Sequence, residues 1–442
     1  MIALHLIILQ NATKAVDTTH KNGQSPNKSI YNTLKCKIKN TLMTSKIFGS
    51  TLIIAGTTIG AGMLALPLAS AGIGFGTSLI IMLFLWGLMA FTALLMLEVH
   101  QYAGSDATLH TLAKQILGTK GKFIASFSML FLFYSLCAAY IAGGGAQFTE
   151  RLNSLDMGVV NQTSGTLLFT LLVAMVVTVG TSTVDKVNRI LFTLKLVAMV
   201  FVLTFLAPNV TESYLLSMPM QQGLVVAAIP VIFTSFGFHG SIPAIVKYLG
   251  GETKALKKAI VIGSALPLVI YILWQIVTLG VISQSVLVNN SGLSALLNTL
   301  SQTVHNSNLA NIVGVFADLA LVTSFLGVSL GLFEYMGDTL NKQQGTKNRV
   351  QSALITFVPP LCFALFYPQG FIMALGYAAI ALAILAVLLP AVMAHTVRKN
   401  GNNDQFYQVK GGNLSLVFSG ICGCVIIGAQ LLISFGILSP LG

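Results

Sequence analysis

Three ionisable side chains stand inside long apolar runs: Lys195 in RILFTLKLVAMVF, His239 in FTSFGFHGSIPAIV and Asp318 in FADLALVTSFLG. A charge at bilayer depth costs about 3 kcal/mol, so it is kept where it moves ions, protons or substrate, or where it meets a partner. Lys195 lies six residues past Arg189, about 9 Å along a helix at about 1.5 Å per residue. Two readings of it stand open: a lysine whose head snorkels to the interface, and a buried ammonium with a switchable proton. Asp318 is five residues before Thr323, about 140° away around a helix, so the two face different spaces. A structural partner and a proton-carrying role both remain for it. Glu98 and Glu334 fall near helix ends, where solvated and gating roles are both open.

Backbone chemistry is the other candidate. GSTLIIAGTTIGAGMLALPLA carries Gly56, Gly60, Gly62 and Pro67, and PVIFTSFGFHGSIPAIV carries Pro230, Gly237, Gly240 and Pro243. Glycine and proline weaken a helix. A backbone group freed inside a bilayer is tolerated only where it is buried in protein or lines a cavity. Interruptions at corresponding places in two halves of a chain point to an inverted-repeat transporter with its site at the midplane. Close helix packing explains glycine in any single span; a matched pair needs more.

Other chemistries find little support. Cys36, Cys137, Cys362, Cys422 and Cys424 form no CxxC pair, so neither a metal site nor a disulfide framework is expected. Gly327-Val328-Ser329-Leu330-Gly331 matches G-x-S-x-G but is interior to a helix, not a strand–turn–helix elbow. No Walker A lysine is present. An enzyme would need clustered ionisable groups at one depth, and a channel would show repeated filter loops or charged rings. No cofactor is expected.

These groups must be positioned by membrane helices. Of 442 residues, 55% are hydrophobic and 8% charged, with mean hydropathy +0.83; a soluble domain carries about 25% charged residues. Lipid has to solvate such a chain. The net charge of +12 punctuates apolar runs instead of clustering, which argues against a nucleic-acid partner. Runs of spanning length, about 20 residues, fall at 47–74, 76–99, 122–148, 165–183, 189–208, 222–249, 257–284, 310–337, 349–367, 370–396 and 413–438. The fold expected is an all-α integral membrane protein of about eleven spans. Its halves, 47–208 and 222–396, are related by inversion, and one helix, 413–438, is added. With the N-terminus in the cytoplasm, every one of the 24 Lys and Arg except Arg151 faces inward, a strong positive-inside bias that puts the C-terminus outside. Ala3–Leu9 is preceded by no basic residue and followed by no A-x-A, unlike a signal peptide. Residues 1–46 are read as a disordered cytoplasmic extension, and 47–438 as one transporter domain.

GTTIGAGMLALPLA (Gly56–Ala69), FTSFGFHGSIPAIV (Phe233–Val246), FADLALVTSFLGVSLGLFEYMGD (Phe316–Asp338) and FALFYPQGFIMALGYA (Phe363–Ala378) resemble the hydroxy and aromatic amino acid permease family. The similarity runs from residue 47 to about 438. It implies proton symport of an aromatic amino acid into a bacterium across the inner membrane, on a five-plus-five inverted repeat with broken first and sixth helices. Tryptophan permeases of the family tend to be aliphatic where Thr58 stands. The Thr57–Thr58 pair therefore favours L-tyrosine as substrate, with tryptophan or phenylalanine as alternatives.

Under that resemblance the freed N–H groups of Gly60, Ala61 and Gly62 would take a substrate carboxylate, and carbonyls near Thr57 and Phe236 its ammonium. Phe236, Gly237, Phe238 and His239 in the sixth span would line the side-chain pocket with Tyr140 and Tyr134 of the third and Ser324 and Val328 of the eighth. Thr58 or His239 would meet a tyrosine hydroxyl. Proton-coupled members of the superfamily carry a lysine on the fifth helix where sodium-coupled relatives bind an ion between the first and eighth. Lys195 is thus expected to couple proton movement with Thr323, and Asp318 is a further candidate. Thr323 and Ser324 also stand where sodium-binding hydroxyls would, which keeps sodium coupling as the alternative.

Overall fold

A computed structural model of the chain describes residues 28–154, 159–217, 223–289, 292–303, 307–339, 346–400 and 406–439. Among them every regular element is a helix. Ten helices are long and apolar enough to cross a membrane, and the bent pair Thr41–Thr58 and Gly62–Ser70 makes an eleventh span. The chain is a multi-pass membrane protein. Side chains such as Ile80, Phe123, Phe127, Leu171 and Phe201 are exposed on its outside, as lipid contact requires.

The eleven spans are the eleven apolar runs, with differences at their ends. The first helix begins at Lys28, so residues 28–46, expected to be disordered, are helical; residues 1–27 lie outside the described residues. The third, Leu109–Ser154, is two helices in one, because Gly118 adopts φ 71°, a conformation open to glycine. The tenth is not uniform either: Phe371–Ala383 passes through a π-turn at Ile384–Leu388 into Leu389–Asn400. Between the seventh and eighth spans the polar gap folds into Gln284–Asn289 and Leu293–Thr303. The latter buries Leu293, Leu296, Leu297 and Leu300, an i, i+3, i+4, i+7 stripe that caps the bundle.

Small residues set the helix spacing. No Cβ fits at Gly144, Gly145 or Gly165, because Phe169, Thr166 and Thr149 fill those spaces between the third and fourth spans. The third span packs chiefly on the tenth and the fifth chiefly on the eighth. Shifting the numbering by five spans exchanges those two pairings.

Glu98, at the lysine-rich end of the second span, is buried and structural. It takes both forks of Arg398 from the tenth, at 2.7 and 2.8 Å, and the Val409 N–H at 2.8 Å. A buried pair is tolerated when its remaining lone pairs are met in this way.

Candidate functional site

The first span stops being an α-helix at Thr58 and resumes at Gly62, with a bend of 53°. Two close approaches require its glycines. A Cβ on Gly60 would lie 2.6 Å from Ser324 Oγ of the eighth span, and one on Gly62 would lie 3.2 Å from the Ser235 Cα of the sixth. The break frees backbone groups that must each be met. The Ala61 N–H donates to Ser324 Oγ at 2.9 Å. Met63 turns back to Gly60 O at 3.1 Å, which leaves Ile59 O free for the Lys195 ammonium at 2.8 Å. Thr58 O accepts from the Tyr271 hydroxyl at 2.6 Å, and Gly62 O accepts from Ser235 Oγ at 3.0 Å. Among the described residues no partner meets the N–H groups of Gly60 and Gly62 or the carbonyls of Gly56 and Thr57.

Lys195 is 2% exposed, so it does not snorkel. Beside Ile59 O its Nζ donates to Thr323 Oγ1 at 3.1 Å, and it stands 4.6 Å from the Phe192 ring centroid. One ammonium thus ties the fifth span to the first and the eighth.

The sixth span breaks between Ser235 and Ile242. Pro243 opens the second segment, where its missing N–H costs nothing. Phe236 and Gly237 turn their N–H groups back to Phe233 and Thr234, at 3.0 and 3.1 Å, and no donor reaches the Phe236 carbonyl among the described residues. Gly237 faces Leu382 of the tenth span. Open space lies beside Gly240 and Gly327, both on the lysine-rich side of the breaks.

Tyr271, in the seventh span, had no signal in the sequence beyond being one aromatic among many. Its hydroxyl lies 2.6 Å from Thr58 O and 2.8 Å from Ser235 O, so a single phenol proton serves both broken helices. One turn on, the Gln275 amide donates to Leu66 O at 3.2 Å and to Ser70 Oγ at 2.5 Å. The seventh span therefore holds the first on both sides of its break.

Other expected residues are placed differently. His239 is buried and turned to the second span, with Nε2 3.0 Å from Thr92 Oγ1 and its ring tilted on Phe238 at 5.0 Å. Phe236 packs edge-on against Tyr271 at 5.3 Å, and Phe236 and Phe238 are each 1% exposed. The Tyr134 hydroxyl donates to Ile355 O at 2.8 Å, a carbonyl that Pro359, having no N–H, cannot serve. Tyr134 is a clamp between the third and ninth spans. Thr57 and Thr58 donate their hydroxyl protons down their own helix, to Ile53 O at 2.7 Å and Ile54 O at 2.8 Å, so toward any ligand Thr58 Oγ1 is an acceptor. Tyr140 is buried, while Ser324 and Val328 keep accessible surface. Asp318 joins Arg151, whose Nε and Nη2 both lie 3.2 Å from its Oδ2; Lys195 and Thr323 form a cluster without it. The sequence held a hint, since Arg151 was the one basic residue on the wrong face.

The sequence is similar to those of known transport proteins. The tyrosine-specific transport system 1 of Haemophilus influenzae is 44% identical over 399 residues, which cover 89% of this chain and 98% of that protein. The tryptophan-specific transport protein of the same organism is 35% identical over 402 residues, 87% of this chain and 95% of its own length. The crystal structure of the Eremococcus coleocola manganese transporter, in complex with an aromatic bis-isothiourea substituted compound, superposes with a TM-score of 0.61 at 13% identity, over 93% of this chain and 88% of that one; it shares the fold. The curated relatives are permeases, and this chain is a transporter, not an enzyme. A family model matches residues 43–430, and the chain belongs to the tryptophan/tyrosine permease family.

Proposed function

We propose that this protein imports L-tyrosine by proton symport across a bacterial inner membrane, its lysine-rich face and N-terminus in the cytoplasm and its C-terminus in the periplasm. The observation that carries the site is the inventory at the first break: two N–H groups unmet among the described residues, Gly60 and Gly62, beside two carbonyls likewise unmet, Gly56 and Thr57. A zwitterion supplies what each lacks. Its carboxylate accepts from the glycine amides at the positive end of the half-helix Gly62–Ser70. Its ammonium donates to carbonyls around Thr57 and Phe236. The aromatic side chain lies toward Tyr140, Phe236 and the Ser324–Val328 turn. The two five-span halves are inverted repeats, and substrate crosses between their breaks.

Tyrosine is favoured by the 44% identity to a tyrosine-specific system and by Thr58 as an acceptor for the ring hydroxyl. Proton coupling is favoured because the Lys195 ammonium holds Ile59 O and Thr323 Oγ1, two oxygens that a sodium ion bound between the first and eighth spans would need. A protonated Lys195 bonds three spans together. Release of that proton inward removes the charge from both bonds and loosens the bundle for substrate to leave.

The test is uptake of radiolabelled tyrosine, phenylalanine and tryptophan into proteoliposomes under separately imposed proton and sodium gradients. Accumulation of tyrosine driven by a proton gradient alone is expected. Accumulation that requires sodium overturns the coupling, and a stronger response to tryptophan overturns the substrate.

A further inference from the structure

A cavity of about 370 Å³ opens on the face opposite the lysine-rich one, within the size range of small-molecule sites, about 300–1,000 Å³. Gly143, Ala146 and Glu150 of the third span form one wall, Ser294 and Asn298 of the capping helix another, and Phe371 of the tenth span the floor. Glu150 is the one ionisable group lining it among the described residues. Its carboxylate is half-buried and accepts from Asn298 Nδ2, at 3.4 Å from Oε2. The adjacent Arg151 does not neutralise it, being engaged with Asp318 across a separate crevice.

A polar stripe leads down from this carboxylate. Glu150, Gln147, Gly143 and Tyr140 lie on one side of the third span, each three or four residues from the next. Gln147 is buried and its Oε1 has no partner among the described residues. Phe371 rests on Gly143 so closely that a Cβ there would come 2.9 Å from its ring. The ring thus packs on the third span at Gly143, between the turns that carry Glu150 and Tyr140.

We propose that this cavity is a reception site, where Glu150 holds the ammonium of an incoming aromatic amino acid before it passes Phe371. The proposal rests on the import reading above. A lone carboxylate with amide neighbours selects a primary ammonium by a charge-assisted bond, and the apolar floor suits a ring. Among the described residues no basic group lines the cavity, so the substrate's own carboxylate is not read here. An amine that lacks it, tyramine, fits the site equally well.

The test uses the full-length protein in detergent, with tyramine binding followed by titration calorimetry, and in proteoliposomes, with tyrosine uptake. Tyramine should bind the wild type and inhibit uptake. Glu150→Gln, which keeps the shape and can still bond Asn298, should weaken tyramine binding and raise the apparent KM for tyrosine, each about tenfold, at an unchanged maximal rate. Asn298→Ala, which leaves the charge in place, should retain tyramine binding. Wild-type tyramine affinity in Glu150→Gln overturns the proposal, and so does equal loss in both variants, which would make Glu150 a strut for the capping helix. Glu150-dependent tyramine binding without any tyrosine uptake would remove the import reading and leave the site standing.

Discussion

The ammonium of Lys195 lies 2.8 Å from the carbonyl of Ile59, an oxygen that is free only because the first span ceases to be helical there. In a continuous helix Ile59 O would accept from Met63; here Met63 turns to Gly60. The break therefore creates the acceptor, and the lysine, sealed from lipid and water, supplies the proton it needs. Any change in that proton is felt at once by the segment that carries the Gly60 and Gly62 amides.

Lys195→Met should leave tyrosine binding measurable and abolish uphill transport. A proton moving down the membrane potential supplies about 2.3 kcal/mol per 100 mV, roughly fiftyfold in accumulation. The measurement is tyrosine uptake against its own gradient after a pH jump, in liposomes holding the variant. Wild-type accumulation would show that Lys195 is a strut, and would send the search to the Arg151–Asp318 pair.

Thr58→Ile should weaken tyrosine about tenfold more than phenylalanine. The Thr58 hydroxyl proton is committed to Ile54 O, so its oxygen can still accept from a substrate phenol, and isoleucine cannot. Competition of the three aromatic amino acids for uptake reads the shift. Equal loss for all three would place the residue in the helix break and not against the ring.

Tyr271→Phe keeps the ring on Phe236 and removes the one donor that Thr58 O and Ser235 O share. A buried acceptor left unmet costs about 1–3 kcal/mol, so the variant should melt several degrees lower and transport slowly. Thermal unfolding of the purified protein and initial uptake rates report the two effects. Wild-type values in both would mean that the hydroxyl does not tie the breaks together.

Gly60→Ala should cut the initial uptake rate at least about tenfold, because a Cβ 2.6 Å from Ser324 Oγ must push the serine off the Ala61 N–H. Adding Ser324→Ala makes room, and the double variant should recover part of the rate. That non-additivity is the signature of direct contact. A double variant as impaired as the product of the single ones would show that Gly60 is needed for its backbone alone.

Eleven spans, their two interruptions and their order were legible in the sequence, because lipid imposes a length and an apolarity on each helix, and glycine with proline marks where a helix yields. The rim of the third span and the capping helix Leu293–Thr303 were not. Their apolar residues are periodic but short of spanning length, so a hydropathy reading passes over them as a gap. The Gly60–Gly62 break was visible because it alters the chain locally. Which neighbours answer it was not: Tyr271 and Ser324 come from distant helices, and one buried tyrosine in an apolar run looks like any other. His239 illustrates the limit. Its position in the sixth break was evident, but the side of the helix it faces depends on the turn Phe236–His239, where helical periodicity stops and no regular angle predicts direction. The sequence by itself determined where this backbone would come apart in the membrane; only the packing of distant spans decided that a phenol, an ammonium and a serine hydroxyl would meet the freed groups and leave the Gly60 and Gly62 amides open.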